Sequence, residues 1–355
     1  EKASEAYDYL EKNNSSLGIL LEYNKTPAKE QRNIHINSDK ILCTNKDSNI
    51  SFIGTGNYAS SKLIPAFAKA SANFGTIVSN NGLGPTYLGR KFNFKNASTC
   101  TNDIFEDPNC NAVVIATRHD SHSDLICKAL NSDKHVFVEK PLCLNEKELN
   151  QIKCSYKGNK IIMVGFNRRF APLIAKLKDL ISKIDGPKAY NFICNAGFIP
   201  NNHWIQDPLV GGGRLIGEAC HFVDLLRFLD GSAINTMHLT NSLDTKKCPD
   251  TFSLQLKFAS GSIGTINYFS NGNKSFPKER IEVFGDGKIF RVENYRKLRS
   301  WGNFNLINKN NFVMDKGHNA CAKEFLNAIN LGKPSPIPFN DLIEVQEMLL
   351  KTLKT

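Results

Sequence analysis

With 355 residues, 41% of them hydrophobic and 22% charged, the chain has the composition of a globular protein and is long enough for two domains. It contains no apolar run of about eighteen residues, which argues against a membrane-spanning helix. The formal net charge of +11 comes from 45 basic residues, of which 34 are lysines scattered along the chain. Such scatter is typical of a solvated surface, so the charge predicts no nucleic-acid partner, although it is compatible with an anionic substrate.

The ten cysteines contain no Cys-x-x-Cys pair, and several, such as Cys127 and Cys220, lie in apolar runs. This pattern predicts reduced packing residues in a cytoplasmic protein and favours neither a disulfide framework nor a zinc site. The first ten residues carry acidic side chains where a signal peptide would carry basic ones, so we expect no such signal there.

Residues 1–47 differ in pattern from the rest of the chain. Ala3–Leu10 has the pattern of a helix, and Leu17–Tyr23 has that of a hydrophobic strand. Residues 24–47 are rich in Asn, Lys and Ser, as linkers often are. We interpret residues 1–47 as the tail of an upstream domain followed by a linker.

A short apolar strand that begins at Asn49 runs into Gly54-x-Gly56-x-x-Ala59, and a helical pattern follows from Ser60 to Ala70. In a dinucleotide-binding fold the first glycine permits a tight turn, and the second lets the backbone approach the pyrophosphate. The small third residue lets the helix pack on the strand, and the helix N-terminus faces the phosphates. The alternative is a glycine turn without a ligand, but a motif between strand and helix favours the dinucleotide.

The second strand, Thr76–Ser79, ends where NAD-binding folds often place an acidic residue for the ribose hydroxyls. Here the chain continues with Asn80 and Asn81, and no arginine comes before Arg90. The residue that usually distinguishes NAD-binding from NADP-binding folds is therefore absent after this strand. We favour NAD because no cation follows the strand directly.

Two further apolar runs continue the alternation of strands and helices. Ala112–Thr117 has the composition of a buried parallel strand, and Arg118–His122 leads into a helix at Ser123–Leu130. His119 and His122 are three residues apart, but further metal ligands at a suitable spacing are missing, which favours a role at the start of the helix.

The strand His135–Val138 delivers Lys140, and a helix at Glu146–Cys154 and a strand at Ile161–Val164 follow. Strands that alternate with helices predict a doubly wound parallel Rossmann sheet in an α/β domain over residues 48–165.

From residue 166 the pattern is different. A basic and aromatic turn, Phe166–Phe170, precedes a helix at Pro172–Ile184, and strands with a period of two then dominate. The predicted strands and closing helices are Phe252–Phe258, Ile263–Phe269, Ile281–Phe284, Lys288–Val292, Asn319–Ile329 and Phe339–Leu353. Residues 166–355 are thus predicted to form an α+β domain that binds substrate. Its open, mostly antiparallel sheet would have one polar face and support a homo-oligomer.

Three glycines, Gly211–Gly213, open a helix that carries Glu218, His221 and Asp224 at spacings of three. Residues at that spacing share a helix face. A histidine there could act as a general acid or base with a carboxylate to orient it. The alternative is a buried histidine whose nitrogens are satisfied by the backbone.

These features together resemble the Gfo/Idh/MocA oxidoreductase family over roughly residues 48–355. The resemblance lies in the Gly54-x-Gly56 loop, in Glu139-Lys140-Pro141 and in the triple glycine that leads to His221. The strings Gly165–Phe170, Gly217–Phe222 and Lys274–Arg280 are similar to the branch in which a zinc-type, medium-chain alcohol dehydrogenase is fused ahead of the family module. Residues 1–23 resemble the tail of that dehydrogenase.

The resemblance implies hydride transfer between NAD(P) and a hydroxyl-bearing carbon of a sugar, nucleotide sugar or cyclitol, with a suggested role in surface polysaccharide biosynthesis. Lys140 and His221 would be catalytic, with Lys140 donating to the reacting oxygen and His221 exchanging the proton. Many members carry an aspartate four residues before the histidine, where this chain has Gly217. The predicted substrate-binding residues are Arg168, Arg169, Glu218 and Lys278. The predicted cofactor-binding residues are Gly54, Gly56, Asn57, Tyr58, Ser79, Thr117, His122, Glu139 and Lys140.

Two other functions are compatible with the same residues. Tightly held NAD could assist a glycoside hydrolase or lyase by transient oxidation, with no net redox change. A non-catalytic dinucleotide-binding scaffold is the third possibility. The presence of both Lys140 and His221 argues against it, and Gly217 in place of the aspartate argues for it.

Overall fold

The computed structural model describes residues 3–12, 19–20, 32–36, 48–242, 249–302 and 308–354. Helix α1 (Ala3–Lys12) confirms the first predicted helix and lies in a unit of its own, Glu1–Arg32. The predicted strand Leu17–Tyr23 falls on residues of which the structure describes only Ile19 and Leu20. Within the described ranges, no helix combines the length and apolar character needed to cross a membrane. The eight cysteines in these ranges are free thiols.

The described strands are β1 (Asn33–His35), β2 (Asn49–Ile53), β3 (Asn73–Val78), β4 (Asn96–Ser98), β5 (Ala112–Ile115), β6 (His135–Val138), β7 (Ile162–Val164), β8 (Ala189–Asn195), β9 (Ile234–Asn241), β10 (Phe252–Phe258), β11 (Ile263–Phe269), β12 (Glu279–Gly285), β13 (Lys288–Glu293), β14 (Lys297–Trp301) and β15 (Asn308–Asn310). The helices after α1 are α2 (Ile64–Lys69), α3 (Leu83–Phe92), α4 (Asn102–Phe105), α5 (His122–Asn131), α6 (Glu146–Ser155), α7 (Pro172–Ile181), α8 (Cys220–Asp230), α9 (His318–Asn330) and α10 (Phe339–Thr352).

The first sheet has the order β1-β4-β3-β2-β5-β6-β7, and all its pairs except β1 with β4 are parallel. Every residue of β2, β5 and β7 is buried, as expected for strands covered on both faces. From β4 to β7 this is the strand order of a Rossmann fold, so the predicted doubly wound sheet is confirmed. The order reverses between β2 and β5, where ligands of such folds bind at the carboxyl ends of the strands.

The half of the chain that forms the first sheet also contains a strand and a helix that the sequence analysis did not predict. Strand β1 lies inside the predicted linker 24–47 and pairs with β4 at the sheet edge. All three of its residues are exposed, so it has no hydrophobic pattern to detect. Helix α3 was missed because Gly84, Pro85 and Gly89 interrupt its helical pattern.

The second sheet has the order β15-β14-β13-β12-β8-β11-β10-β9 and is antiparallel except for the β8–β11 pair. Buried and more exposed residues alternate along β10 and β12, so one face packs inward while the other stays open. The prediction of a mostly antiparallel sheet in the C-terminal half is confirmed. Strands β8, β9, β14 and β15 complete it and were not predicted individually.

Helix α9 belongs to the predicted second domain but packs against elements of the first. The ring of Phe325 meets Phe67 and Phe137 edge to face, with centroids 6.2 and 5.5 Å apart. The helix begins after Gly317, whose φ of +84° and close approach to the Asn167 carbonyl leave no room for a side chain. This packing brings residues 308–319 alongside the carboxyl ends of the first sheet.

Candidate active site

The glycine loop after β2 has the geometry that a dinucleotide needs. Gly54 has φ +106°, and a Cβ there would lie 2.4 Å from the Ala116 carbonyl oxygen, so β2 and β5 approach too closely for any other residue. Gly56 faces open space, with no atom within 4 Å of an added Cβ. Ala59 is buried at the start of a five-residue π-helical segment, Ala59–Leu63, that leads into α2. The loop therefore offers an exposed backbone and a helix start where a pyrophosphate would fit.

A cleft of about 1340 Å³ runs from this loop to the second half of the chain. Typical small-molecule pockets occupy roughly 300–1000 Å³, so the cleft has room for a cofactor and a substrate together. Its walls come from the glycine loop, from the ends of β5 and β6, from the start of α8 and from residues 310–319. The lining residues used below are Asn57, Tyr58, Thr117, His119, Glu139, Lys140, Arg168, Trp204, His221, Asp315, Lys316 and His318.

Lys140 follows β6 and lies at the centre of this arrangement. Its Nζ donates a hydrogen bond of 2.6 Å to the carbonyl oxygen of Gly217, in the turn before α8. The Lys140–Pro141 peptide bond is cis. The contact joins the end of the first sheet to the segment that carries His221, so two residues 81 positions apart in sequence line one cleft.

His221 lies in the first turn of α8 and is 8% exposed. Its Nδ1 is buried and has no hydrogen-bond partner among the residues that the structure describes. Burial holds the pKa of the imidazole well below its usual value, and the positive charges of Arg168, Lys140 and Lys316 lower it further. The ring is therefore neutral near pH 7 and can accept a proton.

Within the described part of the chain, no carboxylate hydrogen-bonds to His221 Nδ1, contrary to the spacing argument. Glu218 accepts a 2.5 Å hydrogen bond from Tyr268 Oη and pairs with Arg214 at 3.4 Å. Although burial opposes it, Arg214 keeps the pKa of Glu218 below its usual value. Residues 215–219 form a π-helical segment, which adds a residue to the turn and breaks the three-residue spacing between Glu218 and His221. Glu218 is not among the residues that line the cleft.

The adjacent residues Arg168 and Arg169 have different surroundings. Arg168 lines the cleft and pairs with Glu279 through Nε and Nη2 at 2.8 and 3.0 Å. Arg169 is buried and held by Asp224 at 2.6 Å and Asp341 at 3.5 Å, away from the cleft. Its contacts join α8 to α10 and indicate a structural role. They also engage the second carboxylate that the spacing had placed beside His221.

Lys278, the fourth predicted substrate residue, is exposed and does not line the cleft. It directly precedes Glu279 in β12, so its charge lies close to the Arg168–Glu279 pair. Its positive charge is among the causes that lower the pKa of Lys316, after burial and Arg168.

Among the predicted cofactor residues, Asn57, Tyr58, Thr117, Glu139 and Lys140 line the cleft. Burial raises the pKa of the Glu139 carboxyl to about 7 against the opposing effect of Lys140. A Cβ at Gly165 would lie 2.6 Å from a Glu139 oxygen, so that glycine makes room for the carboxyl group.

Ser79 and His122 lie outside the cleft lining. Ser79 directly follows β3, and its backbone nitrogen donates to the Ser98 carbonyl at 3.3 Å. His122 is fully buried, with Nδ1 2.7 Å from the Pro141 carbonyl oxygen. It begins α5 as predicted and braces the segment that carries Lys140. Among the described residues, no cluster of His, Cys, Asp and Glu could hold a metal ion.

His119 lines the cleft but was assigned only to the start of a helix. Its Nδ1 donates to the Gly211 carbonyl oxygen at 2.8 Å, because a carbonyl can only accept, and this fixes Nε2 as an acceptor. Burial, with help from Lys140, lowers the pKa of the ring to about 3. Its Cε1 lies 3.0 Å from where a Cβ at Gly217 would be, so the imidazole fills the space of a side chain at that position. Its place directly after β5, at the reversal of strand order, was the available signal.

A family model described as "Oxidoreductase family, NAD-binding Rossmann fold" matches residues 48–166, and one described as "GFO/IDH/MocA C-terminal domain" matches residues 182–291. Myo-inositol 2-dehydrogenase of Thermotoga maritima is 30% identical over 220 residues, which are 59% of this chain and 64% of that protein. The scyllo-inositol 2-dehydrogenase (NAD(+)) of Bacillus subtilis is 32% identical over 53% of this chain and 57% of its own length. The chain thus spans less than two thirds of both relatives.

A solved structure of levoglucosan dehydrogenase in complex with NADH has the same fold, with a TM-score of 0.76. The two chains are 19% identical, and the alignment covers 86% of this chain and 97% of the other. At this identity the likeness concerns the fold alone.

Proposed function

The chain belongs to the Gfo/Idh/MocA family of oxidoreductases, and from that premise we propose that it transfers a hydride between a nicotinamide dinucleotide and a hydroxyl-bearing carbon of a sugar, nucleotide sugar or cyclitol. The observation that carries the proposal is that Lys140, His221 and the glycine loop border one cleft. The relatives named as inositol dehydrogenases support a cyclitol or sugar as the substrate class.

The residues around the glycine loop fit the cofactor. The open space at Gly56 admits a pyrophosphate to the backbone, and Asn57 and Tyr58 line the adjoining wall. Thr117 and Glu139 follow β5 and β6 and would hold the nicotinamide half near Lys140. When bound, the nicotinamide supplies or accepts the hydride.

Lys140 and His221 would manage the proton and the charge. In oxidation, Lys140 Nζ turns from the Gly217 carbonyl to the substrate oxygen and stabilises the negative charge that grows there. His221, a neutral ring at the cleft wall, accepts the hydroxyl proton. In the reverse direction the same groups return the proton to the oxygen. His119 Nε2, fixed as an acceptor, is placed to receive a hydrogen bond from a second substrate hydroxyl.

The finer features of the proposal depend on fewer observations. We favour NAD because Ser79, Asn80 and Asn81 bring no cation to the end of β3. The open face of the second sheet is the proposed surface for a homo-oligomer. The upstream alcohol-dehydrogenase domain and the role in surface polysaccharide formation rest on sequence resemblance and stay predictions.

The test is to titrate the purified chain with NADH and NADPH, and then to screen sugars and cyclitols for net reduction of the oxidised cofactor. Micromolar binding and net turnover would support the proposal. Bond cleavage in a glycoside without net cofactor reduction would favour the redox-assisted hydrolase instead. Absence of binding to either cofactor would refute both.

A further inference from the structure

We infer that the substrate is an acidic sugar or cyclitol whose carboxylate is bound by Arg168 and Lys316. The inference rests on the proposed function, because it names the substrate class of the same cleft. It also specifies which of the four predicted substrate residues acts directly, and adds Lys316, which the sequence analysis did not select.

Arg168 and Lys316 both line the cleft and are anchored on the same buried carboxylate. Lys316 Nζ lies 2.5 Å from Glu279 Oε1, and Arg168 holds both oxygens of Glu279. Tyr295 Oη donates to Glu279 as well, at 2.8 Å. Glu279 is 2% exposed and has its acceptor positions filled by these donors, so it fixes the two cations without contacting a ligand itself.

Donors remain on both cations after these contacts. Nη1 of Arg168 has no acceptor among the described residues, and Glu279 takes one of the three Lys316 protons. The side chains are 11% and 18% exposed, so both are largely withdrawn from water yet border the cleft. Donors in this state bind an anion more strongly than solvated surface cations do.

The cluster has one positive charge in excess, from two cations against the single carboxylate of Glu279. Asp315 also lines the cleft, but it is exposed and accepts from the Gly317 backbone nitrogen. The pKa of His318 shows that the two cations outweigh Asp315. Burial, then the charges of Arg168 and Lys316, lower this pKa to about 4, and the opposing effect of Asp315 is smaller. Lys278 adds a further positive charge nearby, so the cluster favours an anionic group on the substrate.

The surroundings of His221 support the same conclusion. After burial, the positive charges of Arg168, Lys140 and Lys316 lower the pKa of His221. Positive charges without a neighbouring anion disfavour the protonated form of a buried base. A substrate carboxylate at Arg168 and Lys316 would supply the anion that Glu218 and Asp224, both engaged elsewhere, do not.

The experiment compares steady-state rates for matched pairs, each a neutral hexose and the hexuronate of the same configuration, with a hexose 6-phosphate as a third arm. It uses the wild type, Lys316→Met, Lys316→Arg and the surface control Lys297→Met, whose lysine is exposed in β14 and pairs with Glu293. Circular dichroism and NADH affinity check that each variant is folded.

We expect the wild type to prefer hexuronates in kcat/KM by at least about 10-fold. Lys316→Met should lower that preference by about 10- to 100-fold through KM, the range of one charge-assisted hydrogen bond. Lys316→Arg should keep most of the preference, and Lys297→Met should keep all of it. Added salt should raise KM for the hexuronate and not for the hexose.

Equal use of hexose and hexuronate by the wild type would overturn the inference while leaving the proposed function intact. An equal loss for both substrates in Lys316→Met would do the same. Preference of the wild type for the hexose 6-phosphate would also overturn the inference, because the bound anion would then be a phosphate. If NADH binds but no sugar of either kind is turned over, the proposed function fails and the inference fails with it.

Discussion

Replacement of Lys140 by methionine should abolish most turnover while leaving the fold and the cofactor site in place. The ammonium of Lys140 is directed into the cleft and held by a single 2.6 Å hydrogen bond to the Gly217 carbonyl. A donor that stabilises charge on the reacting oxygen contributes about 100- to 1,000-fold in kcat. Because Lys140 has this role and His221 takes the proton, we expect kcat to fall by about 100- to 1,000-fold, with NADH affinity changed a few-fold.

The matched control for this variant is Lys134→Met. Lys134 is buried, whereas Lys140 is half-buried, and it too donates to a backbone carbonyl, that of Asp107 at 2.8 Å, but it lies outside the cleft. Both variants should lose stability by about 1–3 kcal/mol as measured by urea unfolding, because each strands a carbonyl. Only Lys140→Met should lose turnover in a single-turnover assay at saturating cofactor. A Lys140→Met enzyme with kcat within about threefold of wild type would remove Lys140 from the chemistry.

Three further variants test other parts of the account. Gly54→Ala puts a Cβ 2.4 Å from a backbone carbonyl oxygen at φ +106°, so it should lower the free energy of unfolding in urea by roughly 1–3 kcal/mol. Gly56 faces open space, so Gly56→Ala should keep its stability and bind NADH more weakly. Equal stability of the two would contradict this. Arg169→Ala should cost about 3–5 kcal/mol because it leaves Asp224 buried and unpaired, and a loss below about 1 kcal/mol would exclude a structural role. Glu139 has a folded pKa of about 7 against an ordinary 4.5, so the unfolded state releases its proton first and stability falls as pH rises through this window. Glu139→Gln should lack that fall, worth up to about 3 kcal/mol relative to wild type, and parallel pH profiles of unfolding free energy would show that the carboxyl is ionised.

The parallel sheet could be predicted because its strands are short apolar runs that no other structure explains as well. The strand His135–Val138 was predicted with its observed bounds, since a buried parallel strand needs hydrophobic residues on both faces. Strand β1 shows the limit of that reasoning. Its three exposed residues are held by pairing with β4, some sixty positions later in the chain, and nothing local marks them.

The site divides in the same way between local and distant signals. The glycine loop and Lys140 are each marked by residues next to them in sequence, so both motifs could be recognised from the sequence alone. The Arg168–Glu279 pair joins residues 111 positions apart, and no spacing rule connects them. The spacing of Glu218 and His221 was misleading because it assumed a regular α-helix where the chain forms a π-helical turn. Asp224 lies in regular α-helix with His221 but is paired with Arg169, which no spacing rule predicts. His119 was overlooked because a histidine at a helix start is usually structural.

Hydride transfer between a bound nicotinamide and a carbon of the substrate can be followed directly with deuterium. A sugar or cyclitol deuterated at its carbinol carbons is incubated with the wild-type chain and oxidised cofactor, and the cofactor is then analysed by mass spectrometry. We expect one deuterium on the reduced nicotinamide with the wild type and none with Lys140→Met over the same incubation. Product formed without deuterium on the cofactor would contradict hydride transfer.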